Sequence, residues 1–443
     1  MKLNLLSATE LIKKIKSKKV SVEEACRDCL EAVSEKDPVV KAWEYIDPES
    51  AIRHAKRLDK KKELGSLAGV PVGVKDIFNT SDMPTAMGSP LWKGFTPGND
   101  ARVVHSIRMQ DGLVLGKTVS AEFAVHYLPK NKTVNPHDPR YSPGTSSSGS
   151  AAAVASYMVP LALGTQTAGS IIRPASYCGV YGFKPTFGTV PRTAMLKTTD
   201  SLDTVGLLAR TVDDVKLLFD VIRVRGSNYP FVNATLDRNS PIRLSRKIKV
   251  GFISGGIHVF NKFEKYAMDA FDSYIRGLKG KGQVELVKIK PSADFNKIHD
   301  IHSTIYDKTL SYYFKDEFKQ HTLISELMYE IIERGNRITG AEYADALGEQ
   351  VRIGARIGKE LAGYDAVLTL STSGEPPLID EREKPDTCLI WTFLGYPVLN
   401  IPAFTGPNGL PFGLQVAAKK YDDYKMLHIA KYFLANKDGR AAG

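Results

Sequence analysis

The chain reads as an α/β protein, and three observations predict it. Between residues 65 and 225, short apolar runs alternate with turns and with stretches of helical periodicity, the pattern of strands interleaved with helices. The same alternation returns at 248–289 and at 365–435. With 443 residues and 43% hydrophobic content, the chain can bury one large core or two smaller ones.

Taken in order, residues 5–60 predict two or three amphipathic helices. Ser7 precedes Glu10, and Ser21 precedes Glu24, at the spacing of a capping box, in which serine and glutamate each satisfy a backbone N–H at the helix start. Strands are expected at 69–74, 112–116, 158–164 and 179–182, with helices at 101–111 and 211–224. The polar stretch 226–246, with Gly226, Pro230 and Pro241, reads as an irregular surface connection. A strand at 248–253, a helix at about 262–279 and a strand at 284–289 follow. Residues 300–362 read as mostly helical, and strands return at 365–370 and 398–403 before a last helix at about 423–435. The sequence contains no tandem repeat.

Bulk features exclude several classes. There is no run of about 18 apolar residues, as a membrane-spanning helix needs, and the apolar start at 3–6 is too short for a secretory signal. A cytoplasmic location is expected. Cys26 and Cys29 form a C-x-x-C inside a helical pattern with no second pair, so they and Cys178 and Cys388 are expected to be reduced core residues. His105, His126 and His137 fit no metal spacing, and no metal is expected. The net charge of +11 resides largely in lysines such as Lys13, Lys14, Lys16, Lys18 and Lys19, without interleaved aromatics or a nucleic-acid motif. Neither nucleic acid nor membrane is expected as a partner.

Chemistry concentrates in two glycine-rich turns and one lysine. Gly144-Thr145-Ser146-Ser147-Ser148-Gly149-Ser150 is followed by Gly164-Thr165-Gln166-Thr167-Ala168-Gly169-Ser170, and Lys75 ends the β-prone run 69–75. A serine is a weak nucleophile until a base takes its proton. Lysine can be that base when burial without an opposing carboxylate keeps it neutral. Asp76 is adjacent, but along a strand its side chain points to the opposite face. Residues 167–170 can present successive backbone N–H groups as an anion-binding nest.

These motifs closely resemble the amidase signature family. The two turns, the segment Cys178-Gly179-Val180-Tyr181-Gly182-Phe183-Lys184-Pro185-Thr186, and later stretches at 203–214 and 409–415 follow that family's order. The resemblance covers most of 5–225 and returns at about 365–435. It implies a large mixed β-sheet flanked by helices on both faces, in one amidase domain spanning 1–443. Within it, 1–64 would supply N-terminal helices, 65–225 the catalytic core, 226–362 a variable region and 363–443 the strands and helix that complete the core.

The resemblance further implies Ser170 as nucleophile, Ser146 as a relay serine preceded by a cis peptide bond, and Lys75 as base. The backbone of Thr167, Ala168, Gly169 and Ser170 would form the oxyanion hole. The relay expects Ser146 Oγ within hydrogen-bond reach, about 3.2 Å, of both Lys75 Nζ and Ser170 Oγ. Ser147 and Thr145 are candidate supports. Arg173 either meets a substrate carboxylate or holds the turn, and Asp203 and Arg210 either buttress the site or pair with each other.

No cofactor is implied; the expected partner is a small-molecule amide, with a homodimer compatible. The substrate is expected to be selected by parts of 120–142, 300–350 and 371–396. Thr145, Ser148 and Ala168 stand where the family's glycines are common, and 193–200 departs from the glutaminyl/asparaginyl-tRNA amidotransferase subunit. Two alternatives remain at this point: such an amidotransferase subunit, and a non-catalytic binding protein on the same scaffold.

Overall fold

The computed structural model describes residues 2–125, 133–225, 236, 247–278 and 284–435. Most of 226–246, and His126, lie outside the described residues. The strands are β1 (Trp43–Ile46), β2 (Pro71–Lys75), β3 (Leu113–Thr118), β4 (Leu161–Gln166), β5 (Tyr181–Lys184), β6 (Thr204–Ala209), β7 (Ile248–Phe252), β8 (Val284–Lys288), β9 (Ala366–Leu370), β10 (Val398–Thr405) and β11 (Pro411–Ala417). They form an 11-stranded mixed sheet in the order β1-β3-β2-β4-β6-β5-β10-β11-β9-β7-β8. β3, β2 and β4 run parallel, as do β8, β7 and β9, and the remaining pairings are antiparallel.

Helices cover both faces of the sheet. Successive strand residues point to opposite sides. On β5, a Cβ at Gly182 would meet Ala175 of the helix Ile172–Cys178, whereas the next residue, Phe183, packs edge-on against Phe219 of the helix Val212–Ile222. Burial on both sides explains why β2, β3, β4 and β6 are buried along their whole length.

The N-terminal helices begin as expected. Both capping boxes form, Ser7 with Glu10 on Ala8–Lys16 and Ser21 with Glu24 on Val22–Val40. The segment before the first helix is wired to the core by Arg210, which donates to the carbonyls of Asn4 at 2.9 Å and Leu6 at 2.5 Å, while Asp214 accepts from the N–H groups of Ala8 and Thr9.

Three strands depart from the sequence expectation. β1 is four residues long, carries Glu44 and lies at the sheet edge. β6 and β11 are interrupted by Gly206 and Gly413, which mask their pattern. Gly206 is required by close approach, since a Cβ there would sit 2.5 Å from Ile171 Cγ1. In the middle of the chain, β7 and β8 extend the sheet, and the helix Ile298–Tyr313 packs against both Glu326–Arg337 and Gly340–Glu360. All four cysteines are buried and none is bridged.

Candidate active site

β2 delivers Lys75 to the carboxyl end of the parallel strands, where it is fully buried. Its Nζ lies 2.7 Å from Ser146 Oγ, 3.0 Å from Thr165 Oγ1 and 3.2 Å from Ser147 Oγ. Burial pushes the Lys75 amine well below its ordinary pKa, opposed by the charge of Asp203. Asp76 is turned away as expected and forms an ion pair with buried Lys117 at 2.9 Å.

The Thr145–Ser146 peptide bond is cis. Ser147 fixes the loop to β4, its hydroxyl donating to Thr165 O and accepting from Thr165 N, each at 3.2 Å. Ser150 Oγ donates to Leu163 O at 2.8 Å, which seats the helix Ser148–Ala155 on the same strand.

The turn 167–170 is clamped from outside. Gln166 Oε1 accepts from the N–H groups of Ile171 at 2.8 Å and Ile172 at 3.0 Å, closing the ends of the turn. Thr167 O accepts from His302 Nε2 at 2.9 Å, so that nitrogen carries the proton. Ala168 O accepts from Thr392 Oγ1 at 2.7 Å. With these carbonyls held on the protein side, the N–H groups of Ala168, Gly169 and Ser170 meet no acceptor among the described residues. Unpaired donors in succession are what an oxyanion site requires.

Asp203 buttresses this turn. It accepts from Thr167 Oγ1 at 2.7 Å and is itself fixed by the backbone N–H groups of Thr198 and Thr199. It does not pair with Arg210, which is committed to backbone carbonyls and lies over the Tyr157 ring. Arg173 is held by Asp386 Oδ2 at 2.6 Å and Glu383 Oε2 at 2.8 Å. Thr145 Oγ1 donates to the same Glu383 oxygen at 2.7 Å.

Ser170 is buried and makes no hydrogen bond among the described residues. Of the expected relay, the Lys75–Ser146 contact is formed and the Ser146–Ser170 contact is not. Sequence reasoning missed Thr165, Gln166, His302, Glu383, Asp386 and Thr392. Thr165 and Gln166 stood inside a motif already singled out. The other four arrive from segments more than a hundred residues away, with no local pattern to mark them. No cluster of His, Cys, Asp or Glu among the described residues is placed to hold a metal ion.

A family model for Amidase matches residues 24–427. The chain belongs to the amidase family. This amidase is 30% identical to a glutamyl-tRNA(Gln) amidotransferase subunit of Natranaerobius thermophilus, over 97% of the chain and 95% of that protein. Among solved structures, the native peptide amidase of Stenotrophomonas maltophilia matches with a TM-score of 0.85 at 25% identity, covering 99% of this amidase and 97% of that chain. The corresponding glutamyl-tRNA(Gln) amidotransferase subunit of Thermotoga maritima matches with a TM-score of 0.81 at 27% identity, covering 99% and 97%. The amidase is thus a hydrolase-type enzyme of carboxamide C–N bonds, with the fold of its family. Among the described residues, no helix is long and apolar enough to cross a membrane.

Proposed function

We propose that this amidase hydrolyses a small linear amide or ureido compound in the cytoplasm, with Ser170 as nucleophile, Ser146 as relay and Lys75 as base. The observation that carries the reading is Lys75: a fully buried amine facing three hydroxyls, one of them 2.7 Å away on Ser146, with its pKa lowered by burial. A neutral amine so placed can take a proton through Ser146 as Ser170 Oγ bonds to the amide carbon. The N–H groups of 167–170 receive the oxyanion. The C–N bond then breaks, the departing amine takes the relayed proton, and water cleaves the acyl–Ser170 ester by the same route. Closing the Ser146–Ser170 gap falls to substrate binding, since catalytic hydrogen bonds tighten in the bound complex.

The test is mass spectrometry after treatment with a fluorophosphonate, which should place one adduct on Ser170, combined with a turnover screen of primary amides and ureido acids on the purified chain. An adduct elsewhere, or an unmodified protein, would overturn the assignment.

A second reading has specific support. The match to the Natranaerobius amidotransferase subunit spans nearly the whole of both chains. In that reading Ser170 releases ammonia from an amide donor for use by a partner protein. Amide turnover by the purified chain alone favours the first reading; turnover that appears only with added partner proteins favours the second.

A further inference from the structure

Glu383 lies outside the glycine-rich turns and the β2 motif, on the segment 371–387 between β9 and the helix Cys388–Phe393. That segment runs beside the approach to the relay serine: Ser142 N donates to Pro377 O and Ile379 N donates to Arg140 O, each at 2.9 Å. From it Glu383 reaches inward, its side chain only 10% exposed. One oxygen, Oε2, accepts from Thr145 Oγ1 at 2.7 Å and from Arg173 Nη1 at 2.8 Å. The other accepts from Ser142 Oγ at 3.3 Å, and that hydroxyl accepts from Gly144 N at 3.1 Å.

The two ends of this bridge are the two halves of the catalytic unit. Thr145 immediately precedes Ser146. Arg173 is anchored on its other side by Asp386 Oδ2 at 2.6 Å and lies against the oxyanion turn, its Nη2 2.8 Å from where a Cβ on Gly169 would stand. A single carboxylate therefore ties the loop carrying the relay to the guanidinium that backs the nucleophile's turn. Charge-assisted hydrogen bonds of this kind, with little solvent access, are the strong ones.

We propose that Glu383 is a positioning residue: by bridging Thr145 and Arg173 it fixes the loop that carries Ser146 relative to the turn that carries Ser170. The proposal rests on the reading of Ser170 as nucleophile. The hydrogen-bond partners of Glu383 are Ser142, Thr145 and Arg173 rather than Lys75, Ser146 or Ser170, so its effect should show in how fast Ser170 reacts.

The experiment compares the rate of fluorophosphonate labelling of Ser170 in the full chain and in Glu383→Gln, with thermal unfolding of each. Gln keeps one acceptor oxygen but loses the negative charge that makes the bonds to Thr145 and the guanidinium charge-assisted. Misplacement by about 1 Å at a catalytic unit costs on the order of 10²-fold, so labelling of folded Glu383→Gln should slow by roughly 10- to 100-fold. Turnover on any amide found by screening should lose kcat at nearly constant KM. Labelling at the wild-type rate in folded Glu383→Gln would overturn the proposal, whatever its melting temperature. Should that variant not fold, Thr145→Val removes the hydroxyl end of the bridge alone, and its labelling should slow several-fold; an unchanged rate would overturn the proposal equally. Failure of the wild-type chain to label at Ser170 is a separate result: it removes the nucleophile assignment, and the bridge falls with it.

Discussion

Lys75 and Lys117 stand on neighbouring parallel strands, one register step apart, and both are fully buried. Their surroundings differ in one respect that decides their chemistry. Lys117 faces Asp76 at 2.9 Å and also donates to Thr85 Oγ1 at 2.6 Å and Pro84 O at 3.0 Å. Burial lowers its pKa, but the carboxylate opposes the shift. Lys75 faces hydroxyls, and the nearest opposing charge, Asp203, reaches it only at longer range. Burial alone therefore does not make a lysine a base. A counter-ion within hydrogen-bond reach converts the same residue into a structural cation, and a ring of hydroxyls leaves it free to exchange a proton.

Removing the proposed nucleophile tests this contrast at its reactive end. Ser170→Ala should lower kcat on the order of 10⁴-fold or more, because members of one catalytic unit fail together. Its fold should persist, checked by circular dichroism. Lys75→Arg should cost about 10²- to 10⁴-fold, since guanidinium stays protonated and general-base help is lost. In the wild-type enzyme, kcat/KM should rise with pH as the lowered Lys75 pKa is crossed; a rate that falls on raising the pH through the acid limb would remove Lys75 from the base role.

The other lysine should answer in stability rather than chemistry. Lys117→Met leaves Asp76 buried without its partner and should destabilise by about 3–5 kcal/mol. The additional change Asp76→Leu should recover part of that loss. The surviving folded enzyme should keep the wild-type pH profile, measured as kcat/KM per active site. If Lys117→Met shifts that profile as far as a change at Lys75 does, the contrast between the two lysines fails.

Asp203→Asn separates the two roles at one residue. Loss of its negative charge should lower the Lys75 pKa further and move the acid limb to lower pH. The amide also holds Thr167 less tightly than the carboxylate, so kcat should fall by roughly 10-fold, the worth of one charge-assisted hydrogen bond. An acid limb that moves upward would contradict the assignment.

A third buried lysine, away from the site, should answer in stability alone. Lys184 donates to Tyr396 O at 2.6 Å and Pro185 O at 3.1 Å, and burial lowers its pKa from 10.5 to about 7. Between those values the unfolded chain holds a proton that the folded chain has released. Stability should therefore rise with pH from about 7 towards 10.5, with no contribution to that slope below about 7. Lys184→Met should flatten the slope over that window in chemical denaturation, and an unchanged slope would mean the amine stays charged in the fold.

The two clusters also differ in how legible they were. Lys75, Ser146 and Ser170 could be named because they sit in short motifs of small residues, where glycine and serine at fixed spacing are improbable without a tight turn. The capping residues Ser7 and Ser21 were legible for the same reason: their partners lie three residues away. Glu383, His302 and Thr392 were not, because each acts on a backbone or side-chain atom more than a hundred residues distant. Asp203 was flagged as a support; Thr198 and Thr199 lie only five and four residues before it, but Thr167 reaches it when β4 and β6 are paired. β6 and β11 escaped notice because glycine, chosen for close packing, erased the alternation by which strands are recognised.

The strand order carries a consequence for how the chain is made. β10 and β11, made more than two hundred residues after β5, occupy interior places between β5 and β9 rather than an edge. Until they arrive, β5, which pairs with β6 on one side, waits more than two hundred residues for its partner on the other, with Gly182 and Phe183 facing Asn400 and Leu399 not yet synthesised. At roughly 5–20 residues per second, that interval lasts about ten seconds or more. A nascent chain that leaves one strand edge open for so long risks pairing it wrongly, and stalling translation just before 398 should leave a ribosome-bound species more protease-sensitive than the folded protein.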